Sequence, residues 1–140
     1  MPVVDYGVAS GDVGADRALI WAHADRPSRM VVEYSTTESF RRVQRVRGSL
    51  ATPDTGLTAR TALRGLPPGQ QVFYRVSFED ASNSRIVGQP VGGFFRTAAT
   101  RPANVKLAWS ADTVGQGWGI DEARGGMRLF ETMRQAKPDV

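Results

Sequence analysis

The alternation of apolar and polar positions is strongest between Val72 and Glu79. Val72, Tyr74, Val76 and Phe78 fall on one side of an extended chain, with Phe73, Arg75, Ser77 and Glu79 on the other. A period of two built from β-branched and aromatic residues predicts a strand buried on one face. Pro67-Pro68-Gly69 precedes it as a turn, because proline presets φ and glycine accepts the conformation that other residues resist. Leu63 and Leu66 bracket the end of the strand before that turn. Similar patterns predict strands over Val3–Ala9, ended by Gly11, and over Arg17–His23. In the latter, Leu19, Trp21 and His23 alternate with Ala18, Ile20 and Ala22. Both sides are largely apolar, as in a central strand, and Trp21 is expected in the core. Met30, Val32 and Tyr34 supply the inward face of another strand, Leu57–Leu63 forms the next, and Arg85–Thr97 forms a last strand or pair of strands broken by glycines. The basic run Arg41, Arg42, Arg45 and Arg47 is interleaved with Val43 and Val46. It fits a charged edge strand guarded against pairing better than a phosphate site, since neither a glycine-rich cradle nor an aromatic platform accompanies it. Seven short strands by residue 97 predict a β-sandwich with Trp21, Tyr34 and Tyr74 inside.

The leucine, the Pro-Gly turn and the aromatic strand match the E–F corner of immunoglobulin-like sandwiches. Fibronectin type III domains place a corner tyrosine six residues after the second leucine; here that place is Val72, and Tyr74 stands two further on. The hydroxyl bond of a tyrosine corner is therefore expected to be absent or displaced.

After residue 97 the period changes. Residues 98–104 (AATRPAN from Ala98) are small, polar and proline-bearing, which is how a linker reads. Val105–Ser110 reads as a short apolar strand, with Asp112 at its end and the glycine-rich loop Gly115-Gln116-Gly117-Trp118-Gly119 following. From Gly126, Met127, Leu129, Phe130, Met133 and Ala136 recur at helical spacing, and Lys137-Pro138 ends the helix. Strand, loop and helix make an incomplete α/β segment over 105–140, since one strand and one helix cannot cover their own apolar faces. The expected fold class is thus mainly β: a sandwich over 1–97, a linker over 98–104 and this segment.

The chemistry is sparser than the shape. With 140 residues and no cysteine, the chain suits one domain, or one domain and a piece of a second, without disulfides or thiolate metal sites. Its net charge of +4 rests mostly on arginines scattered among acids, whereas a nucleic-acid binder gathers them on one face, so no nucleic acid is expected. No apolar run approaches the roughly 20 residues of a membrane span. The opening MPVVDYGVASGDV lacks a basic stretch and an apolar stretch, so it does not read as a secretory signal. GDVGAD at 11–16 reads as a turn and not as a calcium loop, which needs more oxygen donors and a late glutamate. His23, the only histidine, reads as a surface or capped residue. The loop at 115–119 has no lysine for a phosphate-binding P-loop and the wrong glycine spacing for a dinucleotide fold. No complete catalytic set and no cofactor-binding set is present. Asp112 remains as a candidate ligand for a hard cation.

Six stretches carry a resemblance: YGVASGDV at 6–13, RALIWAHADRP at 17–27, LPPGQQVFYRVSFED at 66–80, GGFFRTA at 92–98, WSADTVGQGWGI at 109–120 and GGMRLFETM at 125–133. Through them the chain resembles the alkaline phosphatase D family over nearly its whole length. The resemblance implies a fibronectin type III-like N-terminal domain, then the start of a calcineurin-like metallophosphatase domain, in an enzyme exported to the periplasm or cell exterior. It implies a phosphate ester substrate, divalent or trivalent metal ions such as calcium and iron, and Asp112 as the first metal-binding position. Ala111 stands where a glycine is common in the family, and the later metal-ligand motifs do not occur in these residues. A two-metal hydrolase needs several ligands, so the 140-residue chain is expected to bind no stoichiometric metal and to be inactive without the rest of the catalytic domain, its expected intramolecular partner. The alternative is a stand-alone fibronectin-like protein-binding module. Such a module has no need of an apolar strand and amphipathic helix at 105–137.

Overall fold

The computed structural model describes residues 1–113, 120, 121, 123 and 126–139. They divide into two compact units, Met1–Arg101 and Pro102–Val140.

In the first unit the alternating segments fold as strands β1 (Val4–Gly11), β2 (Arg17–Ala24), β3 (Ser28–Ser35), β4 (Gln44–Ala51), β5 (Thr58–Arg64), β6 (Gln71–Asp80) and β7 (Val91–Arg96). They form two antiparallel sheets, β1-β2-β5 and β4-β3-β6-β7. Arg45 and Arg47 of the basic run lie on an edge strand, β4, whereas Arg41 and Arg42 precede it. Only Val91–Arg96 of the expected last segment is a strand, with a single bridge from Val87 to Glu79 before it.

The inner faces meet as the period of two requires. Val72, Tyr74, Val76 and Phe78 of β6 are buried, as are Met30, Val32 and Tyr34 of β3. Register sets Tyr34 beside Tyr74 and Met30 beside Phe78. From the opposing sheet come Ala18, Ile20, Ala22 and Ala24 of β2 with Ala59 and Leu63 of β5. The expectation for Trp21 is thereby corrected. Two apolar faces on one strand left its inward side ambiguous, and the sheet buries the small side, where alanines let the facing aromatics approach. Trp21 lies half-buried on the outer face with Leu19 and His23.

Tyr74 fills its place because its neighbour on β7, Gly93, has no side chain. A Cβ there would stand 2.6 Å from the phenol ring. Burial pushes the Tyr74 phenol up, while a hydrogen bond with the Ser10 side chain pulls it down. The Pro67–Gly69 corner is held by Thr97, which is 1% exposed. Its Oγ1 donates to the Pro67 carbonyl (2.6 Å) and accepts from the Gln70 N–H (3.0 Å). The Thr97 N–H donates to the Gln70 carbonyl (2.9 Å).

Edges of the two sheets close on each other. Between β4 and β5, Ser49 Oγ accepts from the Arg60 N–H (3.0 Å) and donates to the Arg60 carbonyl (3.2 Å). Gly48 allows this approach, since a Cβ there would fall 1.9 Å from Thr61 Oγ1. Past the end of β7, the Ala98 N–H donates to the Gly14 carbonyl (3.0 Å).

In the second unit a two-residue pair, β8 (Ile120–Asp121) with β9 (Gly126–Met127), leads into helix α1 (Arg128–Gln135). The helix starts two residues later than its apolar spacing suggested, because Gly126 and Met127 pair as a strand. Val105–Ser110, expected as a strand, has no regular secondary structure. A strand exists only against a neighbour, and the ties described here come from the Asp139 end of the chain. The Asp139 N–H donates to the Lys106 carbonyl (2.8 Å), and the Lys106 N–H donates to Asp139 Oδ2 (2.9 Å). Lys106 Nζ donates to the Ala136 carbonyl (3.1 Å), a cation against the negative end of α1. Leu129 and Phe130 on α1 are exposed.

Two stability experiments follow from this packing. Tyr74→Ala is expected to cost about 3–5 kcal/mol, as for a fully buried aromatic, and Trp21→Ala less than half of that. Urea denaturation of both variants checks the order, and a costlier Trp21→Ala would place the tryptophan in the core after all. Thr97→Val keeps the shape but strips the Pro67 carbonyl and the Gln70 N–H of their partner. It should lower stability by about 1–3 kcal/mol by the same measurement.

Candidate functional site

Asp112, the expected metal ligand, lies on exposed, irregular chain. The glycine-rich loop at 115–119 lies outside the described residues. Among the described residues no three or more His, Cys, Asp or Glu come together in a way that could hold a metal ion. One carboxylate with water gives weak, exchangeable binding, and a two-metal centre requires several ligands. The described residues therefore do not fit such a centre by themselves, and Asp112 alone supports no hydrolytic step.

The remaining candidates go to structural work. In the 11–16 turn the Asp12 carboxylate accepts from Arg17 at 3.3 Å, and the Gly14 N–H donates to the Arg17 carbonyl (2.9 Å). His23 is capped: its Nδ1 lies 2.7 Å from Asp5 Oδ1, and its ring stands 4.8 Å from that of Tyr6. The β1–β2 register, which sets Val4 opposite Ala24, brings Asp5 to His23 across a bulge in β1. Their separation in the chain hides this pairing until the hairpin register is known.

Two of the four arginines in the basic run are also committed. Glu79, on the outer face of β6, is buried, with only 7% of its side chain exposed, and accepts from Arg45 Nη2 (2.9 Å) and Arg47 Nη2 (2.5 Å). Beside it Arg75 pairs with Glu33 (2.7 Å) and lies 4.7 Å from the centroid of the Phe40 ring. The polar side of β6 thus holds a charge ladder, which alternation alone predicted only as an outward face.

A strand–strand sandwich with this corner, and its β-rich first unit, is what the comparisons with known proteins match. The model of the family described as "PhoD-like phosphatase, N-terminal domain" matches residues 1–99. The chain belongs to this family. Among solved structures it is similar to PhoD, with 21% identity, a TM-score of 0.56, and 71% of this chain but 20% of that one covered. It is also similar to a fibronectin type III domain derived from the human KIAA0970 protein, with 16% identity, a TM-score of 0.54, and 78% and 84% covered. A third is the two-domain fibronectin type III segment of chicken tenascin, with 17% identity, a TM-score of 0.52, and 65% and 47% covered. No curated protein matches. At these identities the solved structures establish the sandwich fold alone, and the chain spans one fifth of the PhoD chain it resembles. Among the described residues no helix is long and apolar enough to cross a membrane.

The commitment of Arg45 and Arg47 in this PhoD-like domain is testable. Glu79→Ala removes the shared acceptor and is expected to cost about 1–3 kcal/mol, because the carboxylate is buried. Arg45→Ala leaves Arg47 in place and exposed charges are worth less, so it should cost under about 1 kcal/mol. Equal stability of Glu79→Ala and the parent in urea would mean that the clamp contributes nothing.

Proposed function

We propose that the chain is the N-terminal portion of a metal-dependent phosphoric ester hydrolase. Its sandwich precedes a metallophosphatase domain that begins within residues 105–140. The family match over residues 1–99 carries this reading. Two features of the second unit support it. Leu129 and Phe130 present apolar surface that a larger α/β domain would cover, and the chain at Asp139 already bonds to Lys106, where a second strand would lie beside the first. The same apolar surface speaks against the stand-alone binding module.

In this reading phosphate mono- or diesters are the substrates, and the complete protein acts outside the cytoplasm. Asp112 is one carboxylate ligand of a divalent or trivalent metal centre, calcium and iron being the family's expected ions. Bound metal would activate water and neutralise charge on the phosphoryl group. Asp112 itself contributes a hard oxygen donor after an apolar segment.

The 140-residue chain is expected to hydrolyse p-nitrophenyl phosphate and bis(p-nitrophenyl) phosphate no faster than buffer. A protein extended through a complete catalytic domain is expected to bind metal and turn both over or one of them. There Asp112→Ala should abolish activity and leave the melting of the sandwich unchanged. Metal-dependent turnover by the short chain, or full activity of the extended Asp112→Ala variant, would overturn the assignment.

A further inference from the structure

Along the chain the arginines stand scattered among acids, which is the ground for expecting no nucleic acid. Strand register gathers them. Across the outer face of β4-β3-β6-β7, Arg45 stands opposite Glu33 and Glu33 opposite Arg75, with Arg47 one step along beside Val31. Arg29 and Arg96 lie on the same face, and Glu33 and Glu79 are the acids set against these five. The outer face of the other sheet is balanced: Arg17, Arg60 and Arg64 are matched in number by Asp5, Asp12 and Asp16 on it or in the turn beside it. The positive charge of the sandwich therefore collects on one side, as it does in proteins that bind polyanions.

The ion pairs leave these guanidiniums usable. Arg45 and Arg47 share the Glu79 carboxylate, each giving it one hydrogen bond from Nη2, and more than half of each side chain is exposed. Arg75 gives Glu33 one bond from Nε. A guanidinium carries five N–H donors, so most remain for phosphate oxygens.

Aromatic surface adjoins this charge. Phe73 and Phe94 are cross-strand neighbours on the same face, with ring centroids 6.4 Å apart, and Phe94 is 67% exposed. One step along, Arg75 faces Gly92, which presents no side chain and leaves the floor beside Phe94 open. The basic run has no aromatic platform near it in the sequence; β6 and β7 bring one to it. Cations beside exposed rings on an open sheet face are the chemistry that holds unpaired bases and their backbone.

We propose that the outer face of the four-stranded sheet binds single-stranded nucleic acid, with bases stacked on Phe94 and Phe73 and phosphates on Arg75, Arg45 and Arg47. A duplex keeps its bases stacked inside, and a broad sheet face enters neither groove. Inorganic polyphosphate would use the arginines and leave the phenylalanine pair without a partner. Binding at this face needs no metal centre.

Fluorescence anisotropy of a labelled oligothymidylate of about ten nucleotides tests this on the 140-residue chain at low salt. Binding should saturate and weaken as salt rises. Phe94→Ala, at an exposed position, should weaken the oligonucleotide about tenfold and leave inorganic polyphosphate unchanged. Arg45→Gln should weaken both and lower the salt slope by about 0.7, the share of one phosphate contact. The NMR signal of the Trp21 indole, on the opposite sheet, should not move. Unsaturable binding, a duplex bound as tightly, unchanged oligonucleotide affinity in Phe94→Ala, or a shifted Trp21 signal would each overturn the proposal. So would an equal loss of heparin binding in Phe94→Ala, which would make the ligand an acidic polysaccharide. Should Arg45→Gln melt lower than the parent, the contrast between oligonucleotide and polyphosphate in Phe94→Ala decides alone.

Discussion

The close seating of Tyr74 against Gly93 is the contact on which the sandwich depends. The ring can approach β7 this closely only because that strand presents bare backbone there, and the position a Cβ would take is 2.6 Å from the ring. Once the ring is seated, β6 and β7 are locked in register, Tyr34 on β3 stands beside it, and Phe95 packs 5.9 Å away between ring centroids. The opposing sheet answers with alanines and one isoleucine from β2, small enough to meet two tyrosines and Phe78. Large on one side and small on the other is how two sheets reach close packing without strained rotamers.

Much of this was legible in the sequence, and the gaps have physical causes. The period of two placed Val72, Tyr74, Val76, Phe78, Met30, Val32 and Tyr34 correctly, because the opposite side of each strand carries charges, Arg29 and Glu33 on β3 and Arg75 and Glu79 on β6. It failed on Trp21, where both sides of the strand are apolar and only the volume of the facing sheet decides which is buried. It failed again at Val105–Ser110, since apolar residues alone do not make a strand without a partner to complete the backbone bonds. The candidate site was legible only as far as residue type. Asp112 could be singled out from its place after an apolar run, but ligand sets are assembled from distant segments, and none gathers around it among the described residues. The Asp5–His23 pair and the Glu79 clamp were invisible for a related reason: both depend on strand register, which alternation does not specify.

The charge on the outer faces serves the fold before it serves any ligand. Two arginines of β4 reach across β3 to one buried glutamate of β6, tying an edge strand to a central one. The other edge of the same kind, β5, is covered through Ser49 and Arg60. A domain with its edges bound to each other presents few backbone groups to a neighbouring chain.

The outward placement of Trp21 has an optical consequence. Of the three tryptophans, Trp109 is 77% exposed and Trp21 is half-buried on a sheet exterior, so these two indoles meet water in the native state. Among the described residues Tyr34 and Tyr74 bury their phenols in the interior. Intrinsic indole emission from these two residues therefore reports the surface of the molecule. The asymmetric environment of the interior is recorded in the tyrosine region of the near-ultraviolet circular dichroism, where the loss of packing can be followed directly.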